Sequence, residues 1–91
     1  MKSVSELAHE MVAAGAVLLD VRTPKEYQEG HLPGAINIPV DQVAARASEV
    51  GPPSTAVVVY CLSGGRSARA KSALEQLGFK SVLNLGPKTA W

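Results

Sequence analysis

The sequence predicts an α/β protein of three layers, in which a small parallel sheet is flanked by helices on both faces. Short apolar segments rich in β-branched residues alternate with segments of helical periodicity along the chain. Each candidate strand is apolar on both faces, which is typical of strands buried in a parallel sheet. Ligands of such sheets bind beyond the carboxyl ends of the strands, so we expect a functional site there.

Composition predicts a single domain that spans residues 1–91. The chain is 46% hydrophobic and 19% charged, with a net charge of +1, which is ordinary for a globular protein. No long run of one charge sign and no apolar segment of membrane-spanning length occurs, so we expect no nucleic-acid partner and no membrane partner. One cysteine excludes an internal disulfide and fits a reducing compartment, so we expect a cytoplasmic protein, with processing from a precursor left open.

Capping signals and apolar spacing predict the helices. Ser3 and Glu6 have the spacing of a capping box, and Thr23 and Glu26 repeat it with Pro24 at the first helical position. The predicted helices span residues 4–14, a short segment from 24, residues 41–50 and residues 67–77. The predicted strands span residues 16–21, 35–38, 55–60 and 81–85, and residues 86–91 carry no clear signal.

The only thiol, Cys61, is predicted to stand where a strand turns sharply into a helix. Gly64 and Gly65 in this turn tolerate positive φ, which lets consecutive backbone N–H groups point inward. The following helix adds its unpaired N–H groups and the positive end of its dipole. We therefore expect amide donors around the sulfur at the mouth of the loop, which lower its pKa from the ~8.5 of a free cysteine and could hold an anion.

Each of these residues also has a simpler interpretation. A lone cysteine is usually a small buried core residue, although a core cysteine needs neither two glycines nor a helix start. Arg66 is interpreted as an anion-binding group, with a solvated surface charge as the alternative. Ser63 and Ser67 either orient toward the sulfur or cap the helix, and for Ser67 we favour the cap.

Two long motifs resemble the signatures of single-domain rhodaneses, the thiosulfate sulfurtransferases. The segment YCLSGGRSARA, residues 60–70, is similar to the active-site loop of that family. The segment LLDVRTPKEYQEGHLPGAINIP, residues 18–39, resembles its other signature, and LGFKSVLNL, residues 77–85, resembles the approach to its last strand. The resemblance covers nearly the whole chain and implies a rhodanese-like fold.

The resemblance also implies roles for individual residues. Cys61 is expected to form a persulfide, with Asp20 and Arg22 in support, where mutual pairing is favoured over substrate contact. His31 is expected to serve in packing or loop bonding rather than as a general base. The implied partners are thiosulfate or a similar sulfane donor and a thiophilic acceptor, namely cyanide, a thiol or a protein, with no metal and no organic cofactor. The expected substrate-binding residues are Leu62, Ser63, Gly64, Gly65, Arg66 and Ser67.

Loop length separates sulfur transfer from the phosphatase chemistry found on the same fold. Related phosphatases have one residue more between cysteine and arginine than the four between Cys61 and Arg66. The shorter loop fits one extra sulfur atom but crowds a phosphoryl group. A rhodanese-like sulfur carrier or interaction module with negligible small-donor turnover is the alternative. The ending NLGPKTAW departs from the family's usual Gly-Gly, so we expect a short or absent C-terminal helix.

Overall fold

The computed structural model describes residues 1–91 and confirms the α/β architecture. Its four strands form one parallel sheet in the order β2–β1–β3–β4. No helix has both the length and the apolar character that a membrane crossing requires. The helices are α1 Val4–Ala13, α2 Pro24–Glu29, α3 Val43–Arg46 and α4 Gly65–Gln76, and the strands are β1 Val17–Asp20, β2 Ile36–Asn37, β3 Val57–Cys61 and β4 Val82–Pro87.

The central strand β3 divides the core into two apolar clusters, one on each face of the sheet. Alternate residues Val57, Val59 and Cys61 face the cluster covered by α3 and α4. Val58 and Tyr60 face the cluster covered by α1 and α2. All five residues of β3 are buried, which confirms the expectation of a strand that is apolar on both faces.

The two capping boxes predicted from the sequence are present. Ser3 accepts a hydrogen bond from the Glu6 N–H, and the Glu6 carboxylate accepts one from the Ser3 N–H. Thr23 and Glu26 make the same reciprocal pair at the start of α2. These helix starts follow from local sequence because a capping box depends on residues only three positions apart.

The helix predicted over residues 41–50 is wrong in its extent. The structure forms only one α-helical turn, α3, between 3₁₀ turns at Val40–Gln42 and Ala47–Glu49. No side chain caps α3, and a single turn gains few backbone hydrogen bonds for its ordering cost. The tighter turns bring both Val43 and Val50 into the α4-side core, so tertiary burial overrides the local helical pattern.

The boundary between β3 and α4 also differs from the prediction. Cys61 is the last residue of β3 rather than the first of the loop, because its backbone still pairs with Pro87 of β4. Helix α4 begins at Gly65 instead of Ser67. Only Gly64 adopts the left-handed conformation, with φ of +103°, and it is the N-cap residue. The turn therefore spans only residues 62–64, between the end of β3 and the start of α4.

The C-terminal segment closes against the first helix. Strand β4 runs two residues beyond the predicted end, and a 3₁₀ turn follows at Lys88–Ala90. The Trp91 ring lies 3.6 Å from the His9 ring, and the Ser5 hydroxyl donates to the Trp91 carbonyl over 2.6 Å. The short C-terminal turn expected from the sequence therefore covers one side of α1.

We predict that Leu74→Ala destabilises the fold by about 2–5 kcal/mol, because Leu74 is fully buried between α4 and the sheet. The exposed Leu77, one turn later, provides the matched control, and Leu77→Ala should cost about 1 kcal/mol or less. Urea unfolding measures both free energies. Equal losses for the two variants would contradict the assigned core.

Candidate active site

The candidate site lies at the edge formed by the carboxyl ends of the parallel strands. Asp20 ends β1 and Cys61 ends β3, so the topology brings both residues to this edge, as the sequence predicted. Their side chains lie on opposite faces of the sheet, however. Asp20 pairs with Tyr60 on the α1 side, whereas Cys61 belongs to the α4-side cluster. The edge thus separates the only thiol of the chain from a buried polar network.

The Cys61 sulfur accepts a hydrogen bond from the turn and donates one to a hydroxyl in the first turn of α4. The Gly64 N–H donates to Sγ over 2.8 Å, and Ser67 Oγ lies 3.4 Å from Sγ. The Ser67 hydroxyl also donates to the Gly64 carbonyl over 3.0 Å. Our assignment of Ser67 as the helix cap is wrong, because the helix starts two residues earlier and its hydroxyl faces the sulfur instead.

Two opposing effects set the pKa of Cys61. Burial alone raises the pKa, because a thiolate loses solvation in the core. Hydrogen bonds from the Ser67 hydroxyl and from the N–H groups of Ser67, Gly64 and Ser63 lower it. The hydrogen bonds prevail, and the pKa of Cys61 falls below its ordinary value. The inward-pointing amides therefore stabilise a thiolate inside the protein.

The Cys61 thiol, which the sequence predicted at the mouth of the loop, is closed off from solvent. Cys61 is 0% exposed, although its neighbouring amides point toward it. Leu62, the next residue, is 61% exposed and presents an apolar side chain at the surface. A donor molecule therefore reaches Sγ only when the side chains or backbone above it move.

Arg66 is already paired with a carboxylate at the site. Its Nη1 and Nη2 donate to Glu26 Oε1 and Oε2 over 2.7 and 3.0 Å. Hydrogen bonds from Arg66, and then from the Thr23 backbone, lower the pKa of Glu26 to about 2. The sequence identified Glu26 only as a capping residue, because its partner lies 40 positions away and no local pattern indicates that contact.

Asp20 and Arg22 form a buried ion pair within a larger network. The Asp20 carboxylate accepts from Nε and Nη2 of Arg22 at 2.7–3.1 Å and from the Tyr60 hydroxyl at 2.8 Å. Arg22 also donates to the Gly30 carbonyl, and the Leu32 N–H donates to the Tyr60 oxygen. In these contacts Asp20 and Arg22 pair with each other and anchor a neighbouring loop, which is the interpretation that the sequence favoured.

Other polar residues of the second signature lie outside the sulfur's surroundings. His31 Nδ1 bonds the Tyr27 carbonyl at 2.9 Å, and the two rings stack at 3.7 Å. No group of three or more histidine, cysteine, aspartate or glutamate side chains is arranged to hold a metal ion. A concavity of about 510 Å³ is lined by α3, by the segment that follows it as far as Pro53, and by Leu77 and Phe79 beyond α4, and Cys61 is not part of its lining.

The sequence of the chain matches one family model over most of its length. The model of the rhodanese-like domain matches residues 3–87. The chain belongs to the rhodanese-like domain family. That match includes β1, β3, α4 and therefore both sequence signatures. The family assignment confirms the resemblance on which the sequence interpretation depended.

Individual rhodanese relatives are similar over much of their length. Thiosulfate sulfurtransferase PspE of Escherichia coli is 44% identical over 69 residues, which cover 75% of this chain and 66% of the relative. The chloroplastic thiosulfate sulfurtransferase 16 of Arabidopsis thaliana is 37% identical over 93% of this chain and 81% of its own. A solved rhodanese with anions from E. coli superposes with a TM-score of 0.79 at 38% identity, covering 85% and 92% of the two chains.

We predict that Ser67→Ala raises the pKa of Cys61, because the variant removes a hydroxyl that stabilises the thiolate. Thiolate ultraviolet absorbance, measured against pH with Cys61→Ser as the blank, gives the titration curve. Ser63→Ala is the matched control, since Ser63 acts on the sulfur through its backbone N–H. Equal shifts in the two serine variants would contradict the assignment.

We predict that Asp20→Asn destabilises the protein by about 3–5 kcal/mol, because the buried Arg22 guanidinium then loses its counter-charge. Asp41→Asn on the exposed 3₁₀ turn should change stability by about 0.5 kcal/mol or less. Urea unfolding at neutral pH measures both. An Asp20→Asn variant whose free energy of unfolding is nearly unchanged would show that the ion pair does not stabilise this edge of the sheet.

Proposed function

We propose that the protein is a sulfurtransferase that transfers a sulfane sulfur through a persulfide on Cys61. The Gly64 N–H aimed at Sγ is the observation that carries the proposal. A sulfur supported by backbone donors and by Ser67 suits a stored negative charge better than an inert core position. The sulfurtransferase names of the relatives support the same reaction class for this chain.

The proposed reaction has two nucleophilic steps. The Cys61 thiolate attacks the outer sulfur of thiosulfate, a new S–S bond forms to Sγ, and the old S–S bond breaks to release sulfite. The negative charge then resides on the terminal sulfur of the Cys61 persulfide. A thiophile such as cyanide or a thiol attacks that terminal sulfur, and the bond electrons return to Sγ as the thiolate. Neither step needs an external oxidant or reductant.

Arg66 and the turn have complementary roles in this proposal. Only four residues separate Cys61 from Arg66, and a turn this short fits one extra sulfur atom better than a phosphoryl group. Arg66 supplies positive charge beside the anionic donor and the departing sulfite. Thiosulfate or a similar sulfane compound is the donor we propose, with a cellular thiol or protein as the acceptor in the cytoplasm.

A sulfur-carrier function is the second candidate, and one observation favours it. Cys61 is fully buried, so a small donor reaches Sγ only after the site opens. A docking partner protein could open the site and exchange a persulfide directly with Cys61. Rapid exchange with a protein persulfide combined with slow thiosulfate turnover would favour this carrier role.

We predict that thiosulfate raises the intact mass of the protein by one sulfur atom and that cyanide reverses the gain. The persulfide on Cys61 accounts for both changes, since it is the covalent intermediate. Cys61→Ala is the control and should show no gain. A native protein without the gain, or an equal gain in Cys61→Ala, would contradict the mechanism.

A further inference from the structure

We propose that Glu26 determines donor specificity by occupying Arg66, so that the site disfavours dianionic sulfur donors relative to donors of lower charge. The inference rests on the proposed sulfur transfer. It concerns a carboxylate that comes from the other signature motif, on α2, and reaches the residue expected to bind the donor's anionic group. The donor class it favours is a sulfane donor with a single negative charge, such as an organic thiosulfonate or a persulfide.

Glu26 occupies the face of Arg66 that the two terminal nitrogens form. Both terminal nitrogens of the guanidinium already donate to the two oxygens of Glu26. This is the two-point arrangement with which arginine binds a sulfonate or a carboxylate, so Glu26 and the donor compete for the same N–H groups. The pair is about 30% exposed at each side chain, within reach of an entering ligand.

The charges at the entrance support the same conclusion. Glu26 is ionised at neutral pH, since Arg66 and the Thr23 backbone hold its pKa at about 2. The pair is therefore neutral as a unit, and the adjacent exposed side chain, Leu62, adds no charge. The carboxylate thus cancels the attraction of Arg66 for an anion, and a thiosulfate dianion loses twice as much of that attraction as a monoanion does.

Two donors that differ in charge test the inference. Thiosulfate carries two negative charges and releases sulfite, whereas benzenethiosulfonate carries one and releases benzenesulfinate after the same attack by Cys61. Glu26→Gln removes the carboxylate charge, and glutamine keeps the capping box with Thr23, so α2 retains its start. Glu29→Gln removes the same charge from an exposed position of α2 and is the matched control.

We expect Glu26→Gln to raise the ratio of kcat/KM for thiosulfate to kcat/KM for benzenethiosulfonate by about three- to tenfold. Glu29→Gln should change this ratio by less than about twofold. Sulfate, a dianion without a transferable sulfur, should inhibit benzenethiosulfonate turnover more strongly in Glu26→Gln by a similar factor.

An unchanged ratio in Glu26→Gln, or an equal rise in Glu29→Gln, would overturn the inference. A fall in the ratio would also overturn it, because Glu26 would then hold Arg66 in place for the dianion. These results are distinct from failure of the proposed function. If neither donor adds sulfur to Cys61, the transfer reaction fails and this inference falls with it, whereas sulfur addition with an unchanged ratio removes only the role of Glu26.

Discussion

The hydrogen bond from the Gly64 N–H to the Cys61 sulfur is the interaction on which the site depends. A sulfur that is 0% exposed has no water around it, so only fixed donors solvate its ionised form. The protein supplies them from a turn and a helix start, whose N–H groups have no partner within the helix. Ser67 adds a hydroxyl from the first turn of α4. The position of α4 at the end of β3 is therefore a chemical requirement as much as a packing one.

The sheet keeps two polar tasks apart. Successive residues Tyr60 and Cys61 point to opposite faces, so the thiol and the tyrosine hydroxyl that bonds Asp20 occupy separate cores. The ion pair secures the loops that follow β1, which include the start of α2 and its residue Glu26. Glu26 in turn reaches across to Arg66. The contacts that anchor these loops on one face of the sheet therefore help to position the Glu26 carboxylate beside Arg66 on the other face.

Sequence patterns predicted the parts of this structure that depend on neighbouring residues. Both capping boxes, the buried strand β3 and the position of Cys61 at a turn follow from residues a few positions apart. The short α3 and the full burial of Cys61 could not be predicted in this way, because each is decided by packing between distant segments. The Glu26–Arg66 pair was missed for the same reason. A capping glutamate carries no local sign that its carboxylate also contacts another helix.

The difference between the two glycines of the turn has a consequence for protein engineering. Gly64 needs its left-handed φ of +103°, and a Cβ there would also lie 3.7 Å from the Gly86 backbone. Gly65 has ordinary helical geometry, and a Cβ there would meet nothing within 4 Å. Position 65 is consequently the place in the turn where a library of side chains can be introduced without backbone strain.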